Sequence, residues 1–142
     1  MMRKQYLLLI LLILLMSAAC AGLSDWSVSL PNDYEVWHIH ANEILIKYVG
    51  SASDAEEIPS FVKEFAFQDQ YVFTRNIASI QQNNILSEKY YVLDTKSREM
   101  YGCYDSLNEL CAAVTQDGIS MPQKWYRTSP MPEIADSSTE HS

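Results

Sequence analysis

Beyond its first thirty residues, the chain alternates apolar and polar side chains in short runs. Residues 34–40 alternate, and so do residues 43–49. A period of two is the pattern of a half-buried strand. With a two-residue turn at Ala41 and Asn42, His40 faces Glu43, Ile39 faces Ile44 and Trp37 faces Ile46. One face then carries Trp37, Ile39, Ile44, Ile46 and Tyr48. The other carries Tyr34, Val36, His38, His40, Glu43, Leu45, Lys47 and Val49. An antiparallel hairpin with one buried and one mixed face is the expectation. A second hairpin reads as residues 61–67, a turn at Gln68, Asp69 and Gln70, then residues 71–75, with Phe61, Phe65 and Phe67 on one strand face. A third reads as residues 89–94, a turn over 95–98, then residues 99–104. Residues 50–60 form an acidic loop between strands, and residues 76–88 are polar and rich in Asn and Gln.

One segment has helical period. Ser106 and Glu109 have the spacing of a capping box. Leu107, Leu110, Cys111 and Val114 follow an i, i+3, i+4, i+7 stripe. Gly118 stands where a left-handed cap belongs. The helix is expected over 107–116. The predicted fold class is α+β: a mainly antiparallel sheet of about six hairpin-built strands with this helix packed on it. The alternative is an all-β sandwich or small barrel with a helical lid.

The front of the chain breaks the pattern. Arg3 and Lys4 precede residues 6–16, an uncharged run of mostly Leu and Ile, and then small Ser17, Ala18 and Ala19 lead to Cys20. A basic start, a short apolar stretch and small residues describe a secretory signal peptide. A spanning helix needs about 20 apolar residues, and here Ser17, Gly22, Ser24 and Asp25 come too soon. The division is residues 1–19 as signal, 20–29 as a tether, 30–128 as one globular domain, and 129–142 as a tail with little apolar material to bury.

Charge narrows the partners. Only Arg3 and Lys4 of the ten basic residues lie in the leader, and all 18 acids lie after it, so residues 20–142 carry eight basic against 18 acidic groups, a formal charge of −10. Such a body repels phosphate backbones and anionic headgroups, so no nucleic-acid partner is expected.

Candidate chemistry is sparse. His38 and His40 are two apart in a strand and share a side in the hairpin above, with Glu43 opposite His40. Zinc takes such ligands, usually three or four, and two solvated histidines give the same pattern, so no metal is assigned. Cys103 and Cys111 would close a nine-residue loop, for which the chain-entropy estimate is roughly 2.5 kcal/mol. Two free thiols, one of them on the helix stripe, fit equally well. Asp94, Glu99 and Asp105 group around the third hairpin, where acids also cap turns and helix starts. Trp125 and Tyr126 are expected to pack on the sheet. There is no G-x-S-x-G, Gly-rich phosphate loop or C-x-x-C, and only four glycines. No catalytic constellation and no cofactor are expected.

Small residues ahead of Cys20 resemble the lipobox of bacterial lipoproteins. Ala18 and Ala19 fit that pattern, while Ser17 stands where Leu is usual. The resemblance implies cleavage before Cys20 and acyl chains on its thiol and amino group. Two or three chains anchor stably, at about 0.8 kcal/mol per buried CH₂. Leu30-Pro31-Asn32-Asp33-Tyr34, Val62-Lys63-Glu64-Phe65-Ala66-Phe67 and Tyr90-Tyr91-Val92-Leu93-Asp94-Thr95-Lys96 together resemble a family of small bacterial lipoproteins with a domain of unknown function. Its members often have Gly-Pro where this chain has Gly102-Cys103. The resemblance implies an exported protein held at the cell envelope, with the membrane and an envelope protein as partners, and on the outer membrane facing the periplasm in a Gram-negative host. It implies no activity. A binding or interaction module is the expected role, and small-ligand or metal binding at the His38/His40 face is the alternative.

Overall fold

The computed structural model describes residues 25–40, 43–80 and 85–129. Its elements in chain order are β1 (Trp26–Leu30), β2 (Tyr34–His40), β3 (Glu43–Tyr48), β4 (Val62–Gln68), β5 (Tyr71–Ile80), β6 (Ile85–Asp94), β7 (Glu99–Tyr104), α1 (Leu107–Gln116) and β8 (Tyr126–Arg127). All pairings are antiparallel. The strands form a three-stranded sheet in the order β1-β2-β3 and a five-stranded sheet in the order β7-β6-β5-β4-β8. The mainly antiparallel α+β architecture with one short helix is as expected, and no barrel closes among the described residues. The strand number differs: eight in two sheets among the described residues, rather than about six.

Three segments account for the difference. Trp26, Val28 and Leu30 alternate with serines, so the end of the segment read as a tether supplies β1. The second and third hairpins share one long ladder, because the β5–β6 register continues through Asn76↔Lys89 to Ile80↔Ile85 across the polar stretch. β8 is only two residues long.

Two apolar clusters lie on opposite faces of the larger sheet. Between the sheets, Leu30, Tyr34, Val36, Ile44 and Ile46 meet Val62, Phe65, Val72 and Leu93, with Ile58 beside them. On the outer face, Ala66, Phe73, Tyr90 and Val92 receive Leu110 and Val114 of α1, with Trp125 alongside. Each fully buried side chain of this size contributes roughly 1.5–3 kcal/mol. The molecule therefore has three layers, sheet on sheet on helix.

The first hairpin corrects the expected register. β2 pairs Tyr34 with Tyr48, Val36 with Ile46 and His38 with Ile44, and an irregularity between His38 and His40 precedes the pair His40↔Glu43. The extra residue shifts the phase of β2 by one. Tyr34 and Val36 are thus fully buried, while Trp37, paired with Ser27 and Leu45, lies on the outer face, opposite to expectation, and Ile39 is the unpaired bulge residue.

The helix forms as its sequence predicts. Ser106 Oγ accepts from Glu109 N (3.2 Å), and Glu109 Oε2 accepts from Asp105 N (3.2 Å), one residue ahead of the usual box partner. At the other end Gly118 N and Ile119 N donate to Thr115 O (3.1 Å) and Val114 O (2.9 Å), the Schellman pattern, with Gly118 at φ +73°. The apolar stripe is narrower than expected: Leu110 and Val114 are buried, but Leu107 is 43 % exposed and Cys111 is exposed. The first turn overhangs the sheet instead of lying on it. Gly118→Ala is expected to cost about 1 kcal/mol through φ alone, since an added Cβ meets no atom within 4 Å. A thermal midpoint unchanged from the parent would contradict this.

The turns at one end of the sandwich are tied together. Asn32 and Asp33 take φ of 58° and 64°, a region Asn and Asp tolerate, and Asn32 Nδ2 donates to Thr95 Oγ1 (2.9 Å) in the β6–β7 turn. The Tyr34 hydroxyl donates to Glu56 O (2.8 Å). Burial first, and then the nearby Glu57 carboxylate, push the Tyr34 phenol up to about 12. The neutral phenol is favoured in the fold. Its contribution is therefore complete below the unfolded value of 10 and is lost as pH rises toward 12. Ultraviolet titration of Tyr34→Phe is expected to lack one late phenol; identical alkaline curves would refute the assignment.

Candidate functional site

Strand register assembles a charged cluster on the helix-covered face. Glu64 pairs with Arg75 across β4–β5, and Arg75 pairs with Tyr90 across β5–β6. Directly opposed residues point to the same face, so the three side chains form a row. Arg75 Nη1 lies 3.2 Å from Glu64 Oε2. Its Nε and Nη2 donate to Glu88 Oε1 at 3.2 and 2.5 Å. The Tyr90 hydroxyl donates to Glu88 Oε2 (3.4 Å), and Arg127 Nε stands 3.9 Å from Glu64 Oε1. The hydrogen bond from Arg75 holds the Glu88 carboxyl below its usual range, and the same bond raises the guanidinium. Burial pushes the Tyr90 phenol up.

The cluster lines a cleft of about 450 Å³, with Leu107 from the helix start and Trp125 as apolar walls. On its other side Glu64 and Arg75 also border a cleft of about 280 Å³ with Ile44, Lys63, Ile77 and Arg127. The side chains of Glu64 and Glu88 are 28 % and 42 % exposed. Exposed ion pairs are worth about 0–1 kcal/mol each, so the network adds little stability. It fixes a guanidinium and two carboxylates beside an indole, which suits a polar group carried on an apolar body.

A third cleft, about 410 Å³, lies between the strand ends at Trp26, Ser27, Trp37, His38 and Ile39. The His38 ring stacks on Trp26 (5.3 Å between centroids, 9°), and its Nδ1 is buried without a partner among the described residues. The bulge ends the two-residue alternation between His38 and His40 on which a shared ligand position depends. The His40 side chain lies outside the described residues, and Glu43 starts β3 half-buried. Among the described residues no three His, Cys, Asp or Glu side chains come together as a metal site.

Cys103 and Cys111 are free, exposed thiols. Cys103 pairs with Tyr91, on the inter-sheet face, whereas the helix that carries Cys111 covers the opposite face. The sheet separates the two, so the candidate bridge is not formed. Asp94 Oδ1 accepts from Lys96 N (3.0 Å) and Ser97 N (3.2 Å) and so builds its turn. Asp105 pairs with Lys89. Trp125 packs edge-on against Phe73 and Tyr126 stacks on Phe65, which agrees with the expectation for that pair. Cys20 lies outside the described residues, among which no helix is long and apolar enough to cross a membrane.

The alternation pattern alone did not single out Glu64, Arg75 and Glu88. A signal was present: Arg75 is in phase with buried Phe73, and Glu88 with buried Tyr90. A charge on the apolar phase of a strand marks either a sheet end or a site.

No curated protein matches the chain. No solved structure matches it either. Residues 31–120 match the family described as protein of unknown function (DUF3997), a stretch that takes in β2 through α1, and the chain belongs to that family.

Proposed function

We propose that the chain is an exported bacterial lipoprotein, anchored through acyl chains on Cys20, whose domain acts as a non-enzymatic binding module at the cell envelope. In a Gram-negative host it would sit on the outer membrane and face the periplasm. The leader through Cys20 supports the anchor. The Glu64–Arg75–Glu88 cleft carries the binding reading, because its charges are fixed beside Trp125 in a volume of small-ligand size. The anchor is tested by globomycin with a labelled fatty acid: processing should stall, and an unlabelled mature band would refute it. Binding is tested by photo-crosslinking from Leu107 in the anchored protein, with and without Arg75→Met. A crosslink abolished by the substitution is expected, and identical crosslinks in both would remove the cleft from the reading.

A second reading places a small ligand or metal at His38. The buried, unpartnered Nδ1 beside a 410 Å³ cleft favours it. Zinc titration by calorimetry should then give a heat that His38→Phe abolishes; no heat at micromolar protein would sink the metal version.

A further inference from the structure

One end of the sandwich has the features of a membrane-facing surface. β1 begins there at Trp26, paired through His38 with Ile44. Ile44 shares a cleft with Lys63, Ile77 and Arg127, so the same end of the larger sheet lies beside it. Phe61 stands just before β4 at this end, and its carbonyl accepts from Ile77 N (3.1 Å). Phe61 is 45 % exposed and has φ +73°. A bulky residue in that region is strained, and such strain persists only where the surroundings enforce it. Here they do. Asn76, 5 % exposed, donates from Nδ2 to Pro59 O (2.9 Å) and Ser60 O (3.2 Å), and accepts from Thr74 Oγ1 (2.8 Å). A buried polar network thus holds an aromatic ring out into solvent.

Charge is unevenly divided. Lys63, Arg75, Lys89 and Arg127 stand at this end beside Asp25, Glu43, Glu64, Glu88 and Asp105, while the turns and strand ends at the other carry Asp33, Glu56, Asp69, Asp94, Glu99 and Asp117 against Lys96 and Arg98, so the far end is the more acidic. We propose that the Phe61 end lies against the lipid bilayer, with the Phe61 ring in the headgroup layer and the acidic end pointing away. The proposal rests on the anchored reading. Six residues from Cys20 to Trp26 span at most about 20 Å, and the ten-residue strand β5 is about 33 Å long. The tether therefore joins the domain at this end and is too short for the domain to stand inverted with β5 upright on the surface. Anionic lipids repel the more acidic far end more strongly than the Phe61 end.

The test uses the full-length protein processed in a bacterial host, in a Cys103→Ser, Cys111→Ser background. Bimane is placed at Phe61→Cys, at Ser60→Cys with Phe61 intact, or at Val49→Cys at the far end, where Val49 is 44 % exposed. The proteins are reconstituted into phosphatidylcholine vesicles with one-quarter phosphatidylglycerol and nitroxide-labelled lipid. Quenching several-fold stronger at 60 and 61 than at 49 is expected. Equal or absent quenching, on protein whose acyl chains on Cys20 are confirmed by mass, overturns the orientation and leaves the anchor. A bare Cys20 overturns both.

Discussion

Phe65→Ala is expected to lower the unfolding free energy by about 3–5 kcal/mol, the usual range for deleting a buried aromatic ring. Phe65 is fully buried between the sheets. Its ring stacks on Tyr126 (5.4 Å, 24°), which also stacks on Phe67 (5.9 Å, 6°). Alanine there leaves a void in the largest cluster and removes the surface on which β8 rests. Small domains have total stabilities of about 5–15 kcal/mol, so the variant should be close to unfolding at 37 °C. Urea titration should show a lower midpoint with an unchanged slope. A loss under 2 kcal/mol would mean that the two sheets collapse onto the gap, and the core would then be softer than its packing implies.

Asn76→Ala is the second large effect, expected at about 2–3 kcal/mol. An ordinary hydrogen bond contributes about 1 kcal/mol net, but a buried group left without its partner costs about 1–3. Here the Thr74 hydroxyl, fully buried, loses its acceptor, and the carbonyls of Pro59 and Ser60 lose their donor. The loop before β4 is then free to leave the left-handed conformation at Phe61. Hydrogen exchange at Ile77, whose N–H bonds to Phe61 O, should speed up more than exchange at Thr74 in the same strand. Equal acceleration at both would indicate global loosening, and a cost below 1 kcal/mol would deny the network its role.

The parts of the fold that were legible in the sequence are those with local causes. Ser106, Glu109 and Gly118 define the helix because capping acts within one turn. The turns at Asp69 and after Asp94 were legible from residues that favour φ > 0 or bond their own backbone. β1 escaped because serines dilute its alternation, and the ends of β5 and β6 escaped because an Asn/Gln-rich run reads as loop. The phase of β2 depends on one extra residue before His40, which periodicity cannot reveal. The cluster at Arg75 is further from view, since Glu64 and Glu88 lie 11 and 13 residues away and meet it only through strand register.

Within each sheet every strand lies beside its neighbour in sequence, except β8. Thr128 reaches back 66 residues to bond Val62 O, and β8 covers only Glu64 and Phe65 of β4. Local hairpins form early, whereas long loops close late. The latch on the β4 edge is thus the last part of the sheet to be synthesised and the last to be set. Until Tyr126 and Arg127 arrive, that edge offers a row of open amide and carbonyl groups, the template on which identical chains polymerise. Two residues, Tyr126 and Arg127, therefore close the stretch of the β4 edge that would otherwise be open to pairing with another copy of the chain.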